Sequence, residues 1–140
     1  MAENIEFISL EEILSEDLNV VTEEVPVQLI NGKYLKLEIK SITQEVEAKI
    51  RKRCTRYEGS KKSARTPVLD DALYSSLLIA EATNVDWGMF AEKVGAKVPA
   101  PEFIIPKVLS LGGIVQATQG ITRISGLDEE MEDLIAAAKN

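Results

Sequence analysis

Sixteen consecutive residues decide the fold: Val25-Pro26-Val27-Gln28-Leu29-Ile30-Asn31-Gly32-Lys33-Tyr34-Leu35-Lys36-Leu37-Glu38-Ile39-Lys40. On both sides of Asn31-Gly32 the side chains alternate, and the apolar positions are Val25, Val27, Leu29, Leu35, Leu37 and Ile39. Alternation with a period of two indicates strands with one buried face. Asn31-Gly32 is a strong hairpin signal, because a type I′ turn requires positive φ at both central residues. The stretch therefore predicts a β-hairpin with a two-residue turn.

This hairpin needs support from other parts of the protein. A lone hairpin is only marginally stable in water, so its apolar face must be covered by helices, by a second copy or by a partner. Pro26 cannot donate a hydrogen bond to a ladder, which predicts that the first strand is an edge strand.

The segments around the hairpin carry helical signals. Ser9 and Glu12 have the spacing of a capping box and predict a short helix to about Glu16. Ser41 or Thr43 begins a helix that is expected to extend to about Tyr57. The following run, 58–67, has no apolar periodicity and contains Gly, Ser and Pro, which predicts a mobile loop.

The remainder of the chain is predicted to be helical. Asp70 or Asp71 begins a helix to about Asn84, and residues 85–90 form a short turn that contains the only tryptophan. A helix from about Phe103 is expected to stop at Gly112-Gly113, and another to end at Gly126. Asp128 is expected to cap a last helix, which runs to Ala138.

These predictions combine into an α+β fold with an N-terminal β-hairpin followed by a mainly α-helical body. They divide the chain into an extension with a short helix (1–19), the hairpin plus a helix (20–57), a mobile basic loop (58–67) and the helical body (68–140).

Composition excludes most enzyme classes. The 140 residues include no histidine and a single cysteine, Cys54, so no His metal ligand, no Ser-His or Cys-His pair and no two-cysteine zinc site can form. The acidic neighbours Asp70 and Asp71 fit the start of a helix better than a catalytic pair, and the glycines match no phosphate-binding loop. A carboxylate pair formed only in three dimensions stays open. We therefore expect a non-enzyme without a cofactor.

The same composition bears on location. No stretch approaches the length of apolar sequence that spans a membrane, and residues 1–6 lack the features of a signal peptide. We expect a protein of the cytoplasm.

Positive charge is concentrated between residues 49 and 65. This basic segment holds eight of the sixteen basic residues and one acid, Glu58, in a chain of net charge −7. Three explanations remain open: a solvated helix face and loop, an acidic protein partner, or nucleic acid. Nucleic acid is the least favoured, since Tyr57 is the only aromatic residue there. The basic residues are Lys49, Arg51, Lys52, Arg53, Arg56, Lys61, Lys62 and Arg65.

Several features in this order carry a family resemblance. They are the hairpin that leads into residues 37–45, the basic helix 50–54, a helix from Asp70-Asp71, the tryptophan turn and the endings 121–127 and 133–140. In these respects the chain, from about Val25 to Asn140, resembles the XkdN-like tail assembly chaperones of phages and phage-derived elements of Gram-positive bacteria. One departure is Gly112-Gly113-Ile114, where the family pattern has Gly-Glu followed by an aromatic or polar residue.

The resemblance implies a function in tail morphogenesis. Such chaperones coat the long apolar tape measure protein and bring tail tube protein subunits to it. The resemblance also implies action in the cytoplasm of a bacterial host cell and absence from the finished virion. The sequence suits this role, and because its hairpin needs cover, self-association is a further expectation. The candidate partner-binding residues are large and apolar, and as isolated residues they are expected to be core more often than interface. They are Leu10, Ile13, Leu14, Trp87, Met89, Phe90, Phe103 and Ile104.

The last three residues, Ala138-Lys139-Asn140, can be encoded by a slippery sequence for ribosomal frameshifting, and members of this class are commonly made in a short and a frameshifted long form. We expect the present chain to be the short product or the segment before the slip. Two alternatives compete with the chaperone interpretation: a structural tail or head-completion subunit, and a small nucleic-acid-associated regulator that uses the basic segment.

Overall fold

The structure, a computed structural model, describes residues 5–59, 65–127 and 131–139. These residues contain two β-hairpins and six α-helices, which confirms the predicted α+β fold with a hairpin near the N-terminus. The strands are β1 (Thr22–Gln28), β2 (Tyr34–Lys40), β3 (Thr55–Glu58) and β4 (Thr66–Leu69). The α-helices are α1 (Gln44–Cys54), α2 (Asp71–Glu81), α3 (Ala91–Val94), α4 (Pro101–Val108), α5 (Leu111–Ile124) and α6 (Met131–Lys139), and 3₁₀ helices span Glu11–Ser15 and Trp87–Phe90.

The turn of the first hairpin differs from the prediction. Gln28 pairs with Tyr34, and the N–H of Leu29 donates to the carbonyl of Lys33 at 2.7 Å, which leaves a three-residue loop, 30–32. Gly32 has a φ of +89°, whereas Asn31 is not at positive φ. The type I′ prediction is therefore wrong, and the loop matches the three-residue class in which only the last position is left-handed.

The helix starts follow from side-chain caps. Thr43 Oγ1 accepts a hydrogen bond from the N–H of Val46 at the start of α1, and Asp70 Oδ1 accepts one from the N–H of Leu73 at the start of α2. These bonds satisfy backbone donors that lack partners within the helix. Both caps were among those predicted. The cap predicted at Asp128 lies outside the described residues.

The chain after α1 forms two strands where the sequence predicted a loop. Helix α1 ends at Cys54 rather than near Tyr57, and β3 follows at once. Tyr57 pairs with Pro67 and Glu58 with Thr66, so both ends of the predicted loop lie in an antiparallel pair. The middle of the predicted loop, 60–64, lies outside the described residues.

Helix α5 packs on the first hairpin through small residues. A Cβ atom on Gly113 would lie 2.0 Å from the carbonyl oxygen of Gln28, and one on Gly120 would lie 2.9 Å from Cδ1 of Ile39. Ser110 Oγ accepts from the N–H of Gly113 and so caps α5. The predicted stop at Gly112-Gly113 is wrong, because the break falls at residues 109–110 and both glycines belong to the first turn of α5.

The core lies between the hairpin and the helical body. Trp87 is 2% exposed, and its Nε1 donates to Thr83 Oγ1 at 3.1 Å. The Thr83 hydroxyl in turn donates to the carbonyl of Ile79, so the polar atoms of this buried pair are satisfied. The buried apolar residues include Val25, Val27, Leu37, Ile39, Leu77, Leu78, Ile79, Ile104, Ile105, Leu109 and Ile121.

Candidate partner-binding surface

Cys54 lies among basic residues in the sequence, but its environment in the fold does not activate it. The side chain is 2% exposed, and burial raises the pKa of the thiol above its ordinary value. The charge of Asp70 raises this pKa further, and Arg53 opposes the shift only in part. The thiol therefore stays protonated near neutral pH.

Two kinds of feature bear on function in the described parts of the chain: clusters of metal-ligating side chains and helices that could span a membrane. In residues 5–59, 65–127 and 131–139, no three His, Cys, Asp or Glu side chains are grouped so that they could hold a metal ion. None of the helices in these ranges is long and apolar enough to cross a membrane.

Most described side chains of the basic segment form ion pairs within the protein. Arg51 Nη2 lies 2.7 Å from Glu47 Oε1, and the Arg51 guanidinium lies over the ring of Tyr74 at 5.2 Å from its centre. Arg53 pairs with Glu102 of α4, 49 residues away in the sequence. Glu47 and Glu102 lie outside the basic segment, so in the folded protein they compensate part of its positive charge.

The other described basic residues of the segment are also exposed at the surface. Lys49 pairs with Glu45 at 3.5 Å, and Arg56 lies 3.2 Å from Glu58 and 3.8 Å from Asp70. Exposed pairs of this kind contribute little stability, but they place acids beside the bases. Lys52 and Arg65 are exposed. Lys61 and Lys62 lie outside the described residues.

The eight candidate partner-binding residues fall into two groups. Trp87 and Ile104 are buried in the core, and Phe90 is half-buried with its ring 6.2 Å from that of Trp87. The other five are exposed, by 81% for Leu10, 36% for Ile13, 93% for Leu14, 66% for Met89 and 54% for Phe103.

The most exposed candidates belong to one segment, residues 5–21, which we call the N-terminal arm. None of its residues is buried. The predicted capping box forms: the N–H of Ser9 donates to Glu12 Oε1 at 3.2 Å, and the N–H of Glu12 donates to Ser9 Oγ at 3.3 Å. The turn that follows is a 3₁₀ helix. The hydrogen bonds found at this turn among the described residues join residues three apart in the sequence, and the turn is exposed to solvent.

The arm exposes further apolar residues that were not predicted from the sequence. The arm also exposes Phe7, Ile8, Leu18, Val20 and Val21. It is anchored next to the hairpin, where the N–H of Val21 donates to Ser41 Oγ and the N–H of Ser41 donates to the carbonyl of Val21. The available signal was composition, since residues 5–21 combine large apolar side chains with five acids and no base.

A second apolar surface lies at the tip of the first hairpin. There the N–H of Ile30 donates to the carbonyl of Val108, which ties the tip to the end of α4. A groove of about 540 Å³ opens beside this contact. We call it the tip groove; it is lined by Leu29, Ile30, Asn31, Phe90, Lys93, Val94, Pro106, Lys107 and Val108.

Comparison with protein families identifies the chain. The family model of the phage XkdN-like tail assembly chaperones matches residues 10–139. The protein belongs to this family. The match extends the resemblance from about Val25 back to Leu10, so it includes the 3₁₀ turn of the arm. Searches of curated proteins and of solved structures each found no match.

The family assignment gives the two surfaces a context. A tail assembly chaperone acts on other proteins, and this chaperone exposes large apolar side chains on an arm that its own core does not cover. Large exposed apolar patches mark sites of interaction in soluble proteins. The arm and the tip groove are therefore the candidate binding surfaces.

Proposed function

We propose that this tail assembly chaperone binds the tape measure protein, keeps it soluble and helps to recruit tail tube subunits. The observation that carries the proposal is the N-terminal arm, whose leucines at positions 10 and 14 are 81% and 93% exposed. The chaperone acts without enzymatic chemistry, in the cytoplasm of the bacterial host, and leaves before the virion is complete.

The chemistry of the arm suits a long apolar helical partner. A tape measure protein without its tube exposes apolar surface and aggregates. Leu10 and Leu14 would supply the apolar contact, while the acids of the arm would keep the complex soluble. Met89 and Phe103 offer further apolar contacts on the helical body.

The expected affinity of one arm is low. Full burial of an exposed leucine contributes about 1.5–3 kcal/mol, so Leu10 and Leu14 together contribute about 3–6 kcal/mol. Part of this is offset by the ordering of the arm and of its side chains. A net gain near 4 kcal/mol corresponds to a Kd of about 1 mM. Effective coating therefore requires several copies on one tape measure chain, and weak single contacts let the chaperone leave when the tube assembles.

Co-expression with the tape measure protein of the same phage tests the proposal. Affinity pull-down of the wild-type chaperone should recover soluble tape measure protein with several chaperone copies. Leu10→Ser/Leu14→Ser should recover at least tenfold less. The matched control, Leu111→Ser/Leu127→Ser, changes two leucines that are 82% and 66% exposed outside the arm and should behave like wild type.

Two results would count against the proposal. If the tape measure protein stays insoluble and unbound with the wild-type chaperone, the tape measure function is wrong. If the arm variant and the control recover equal amounts, another surface binds the tape measure protein. Recovery of the chaperone in purified virions would favour the structural-subunit alternative instead.

A further inference from the structure

The tip groove is lined by apolar residues and by two exposed lysines, Lys93 and Lys107, which we call its rim. Its apolar residues come from three elements that are distant in sequence: the hairpin tip, the Phe90–Val94 stretch and the end of α4. The charged residues in its lining are Lys93 and Lys107, with no acid beside them in that lining. Such a groove fits an acidic segment that carries large apolar side chains.

The N-terminal arm has this chemistry. Residues 5–21 carry five acids and no base, and their apolar residues are exposed. In the 3₁₀ turn, Glu11 and Glu12 directly follow Leu10 and precede Ile13 and Leu14. We infer that the arm of one copy of this protein docks in the tip groove of a second copy.

The geometry favours docking in the groove of a second copy over docking in the groove of the same copy. The arm joins β1 at Thr22, and the tip groove begins seven residues further on, at Leu29. That separation is about 23 Å along a strand. Val21 continues the ladder away from the tip through its bonds to Ser41. To reach the groove of its own copy, the arm would have to turn back after the 3₁₀ turn and cover this distance with residues 16–21. Six residues span at most about 20–22 Å even when fully extended. A second copy removes this constraint.

This contact is of the head-to-tail kind. Each copy offers one arm and one groove at different places, so one contact leaves an unused arm and an unused groove on the pair. A reciprocal contact within the pair closes a dimer, whereas contacts with further copies extend the assembly. Docking also covers the apolar arm, so self-association and tape measure binding compete for it. That competition rests on the function proposed above, whereas self-association does not.

Sedimentation velocity of the full chain over a range of concentrations tests the contact. The wild-type mass should rise above the 15.4 kDa of the monomer as the concentration increases. Two variants should remain monomeric: Leu10→Ser/Leu14→Ser in the arm and Lys93→Glu/Lys107→Glu on the groove rim. The control Lys36→Glu/Lys52→Glu makes the same charge change at two exposed lysines outside the groove and should associate like wild type.

Mixing the two monomeric variants gives the sharpest result. The arm variant keeps an intact groove and the rim variant keeps an intact arm, so together they can form one contact and no more. The mixture should give 1:1 heterodimers of twice 15.4 kDa that do not grow with concentration. Circular dichroism of each variant shows whether the fold is retained, and the mixing result itself requires that both variants fold.

Three outcomes would overturn the inference: a wild-type protein that is monomeric at all concentrations, a rim variant that associates like wild type, or a variant mixture that stays monomeric. The pull-down distinguishes this failure from failure of the proposed function. The rim variant should still recover tape measure protein at wild-type levels or above, because its arm is released. If it instead loses tape measure binding, the groove belongs to that partner, and docking between copies is wrong.

Discussion

The close packing of α5 on the first hairpin gives a sharp prediction about two adjacent glycines. In Gly113→Ala, the new Cβ atom would lie 2.0 Å from the carbonyl oxygen of Gln28 and 3.0 Å from its carbonyl carbon. Both atoms belong to the backbone of the hairpin and cannot rotate away. In Gly112→Ala, the nearest atom is the Gln28 side-chain oxygen at 3.5 Å, an ordinary contact.

The magnitudes follow from these distances. Carbon and oxygen approach to about 3.3 Å at the closest, so Gly113→Ala must move α5 by about 1.3 Å. Overpacking typically costs about 1–3 kcal/mol, and a backbone clash belongs at the upper end. The gain in helix propensity offsets up to about 1 kcal/mol. We expect a net loss of about 2 kcal/mol for Gly113→Ala and a gain of about 0.5–1 kcal/mol for Gly112→Ala.

Urea unfolding followed by tryptophan fluorescence measures both variants. Trp87 is the only tryptophan and is 2% exposed, so its emission reports the loss of the core. In thermal melts the expected changes are a decrease of about 4–8 °C for Gly113→Ala and an increase of about 2 °C for Gly112→Ala. Equal effects of the two substitutions, or an unchanged stability of Gly113→Ala, would refute the packing of α5 described here.

Three further predictions concern the core and its caps. Ser110→Ala removes the acceptor for the N–H of Gly113, 3.0 Å away, and should cost about 0.5–2 kcal/mol in urea unfolding; an unchanged midpoint contradicts the cap. Trp87→Ala and Leu77→Ala should each lower the free energy of unfolding by about 2–5 kcal/mol and leave the domain largely unfolded. A Trp87→Ala variant that melts normally but no longer binds its partner would show that Trp87 is an interface residue. The thiol of Cys54 should react with a thiol reagent at least tenfold more slowly in the folded protein than in urea, and fast reaction at pH 8 would contradict its burial. Because the pKa of this thiol is raised in the native state, its contribution to the free energy of unfolding is present below the unfolded-state pKa and is lost as the pH rises through the native pKa.

The hairpin shows how far local sequence signals can go. Asn31-Gly32 indicates a two-residue turn, which would place Val25 opposite Glu38 and Val27 opposite Lys36. The alternating pattern requires apolar partners on one face, and the observed register pairs Val25 with Leu37. A shift by one residue exchanges the two faces of a strand, so burial outweighs the preference of the turn.

The structural meaning of Gly112-Gly113 depended on a distant contact. A glycine pair after an apolar run is an ordinary helix stop, and the sequence gives no sign that Gln28 lies against it, 85 residues away. The ion pair between Arg53 and Glu102 has the same character. Such long-range contacts determine where helices end and how charge is compensated, and residue patterns within one segment do not contain them.

Only part of the candidate surface could be predicted from the sequence, because burial also depends on contacts between distant segments. The capping box of the arm is local, so Ser9 and Glu12 predicted it correctly. Large apolar residues, in contrast, look alike in the sequence whether they enter the core, as Trp87 does, or remain exposed, as Leu14 does. The difference depends on which elements pack against them.

The proposed binding of the tape measure protein through the arm can be measured directly by light scattering. Purified tape measure protein is diluted from urea into buffer that contains increasing amounts of wild-type chaperone, of Leu10→Ser/Leu14→Ser or of the control Leu111→Ser/Leu127→Ser. Wild type and the control should suppress aggregation at several copies per tape measure chain, while the arm variant should need at least tenfold more protein. Unchanged scattering with the wild-type chaperone, or full protection by the arm variant, would contradict the proposed function of the arm.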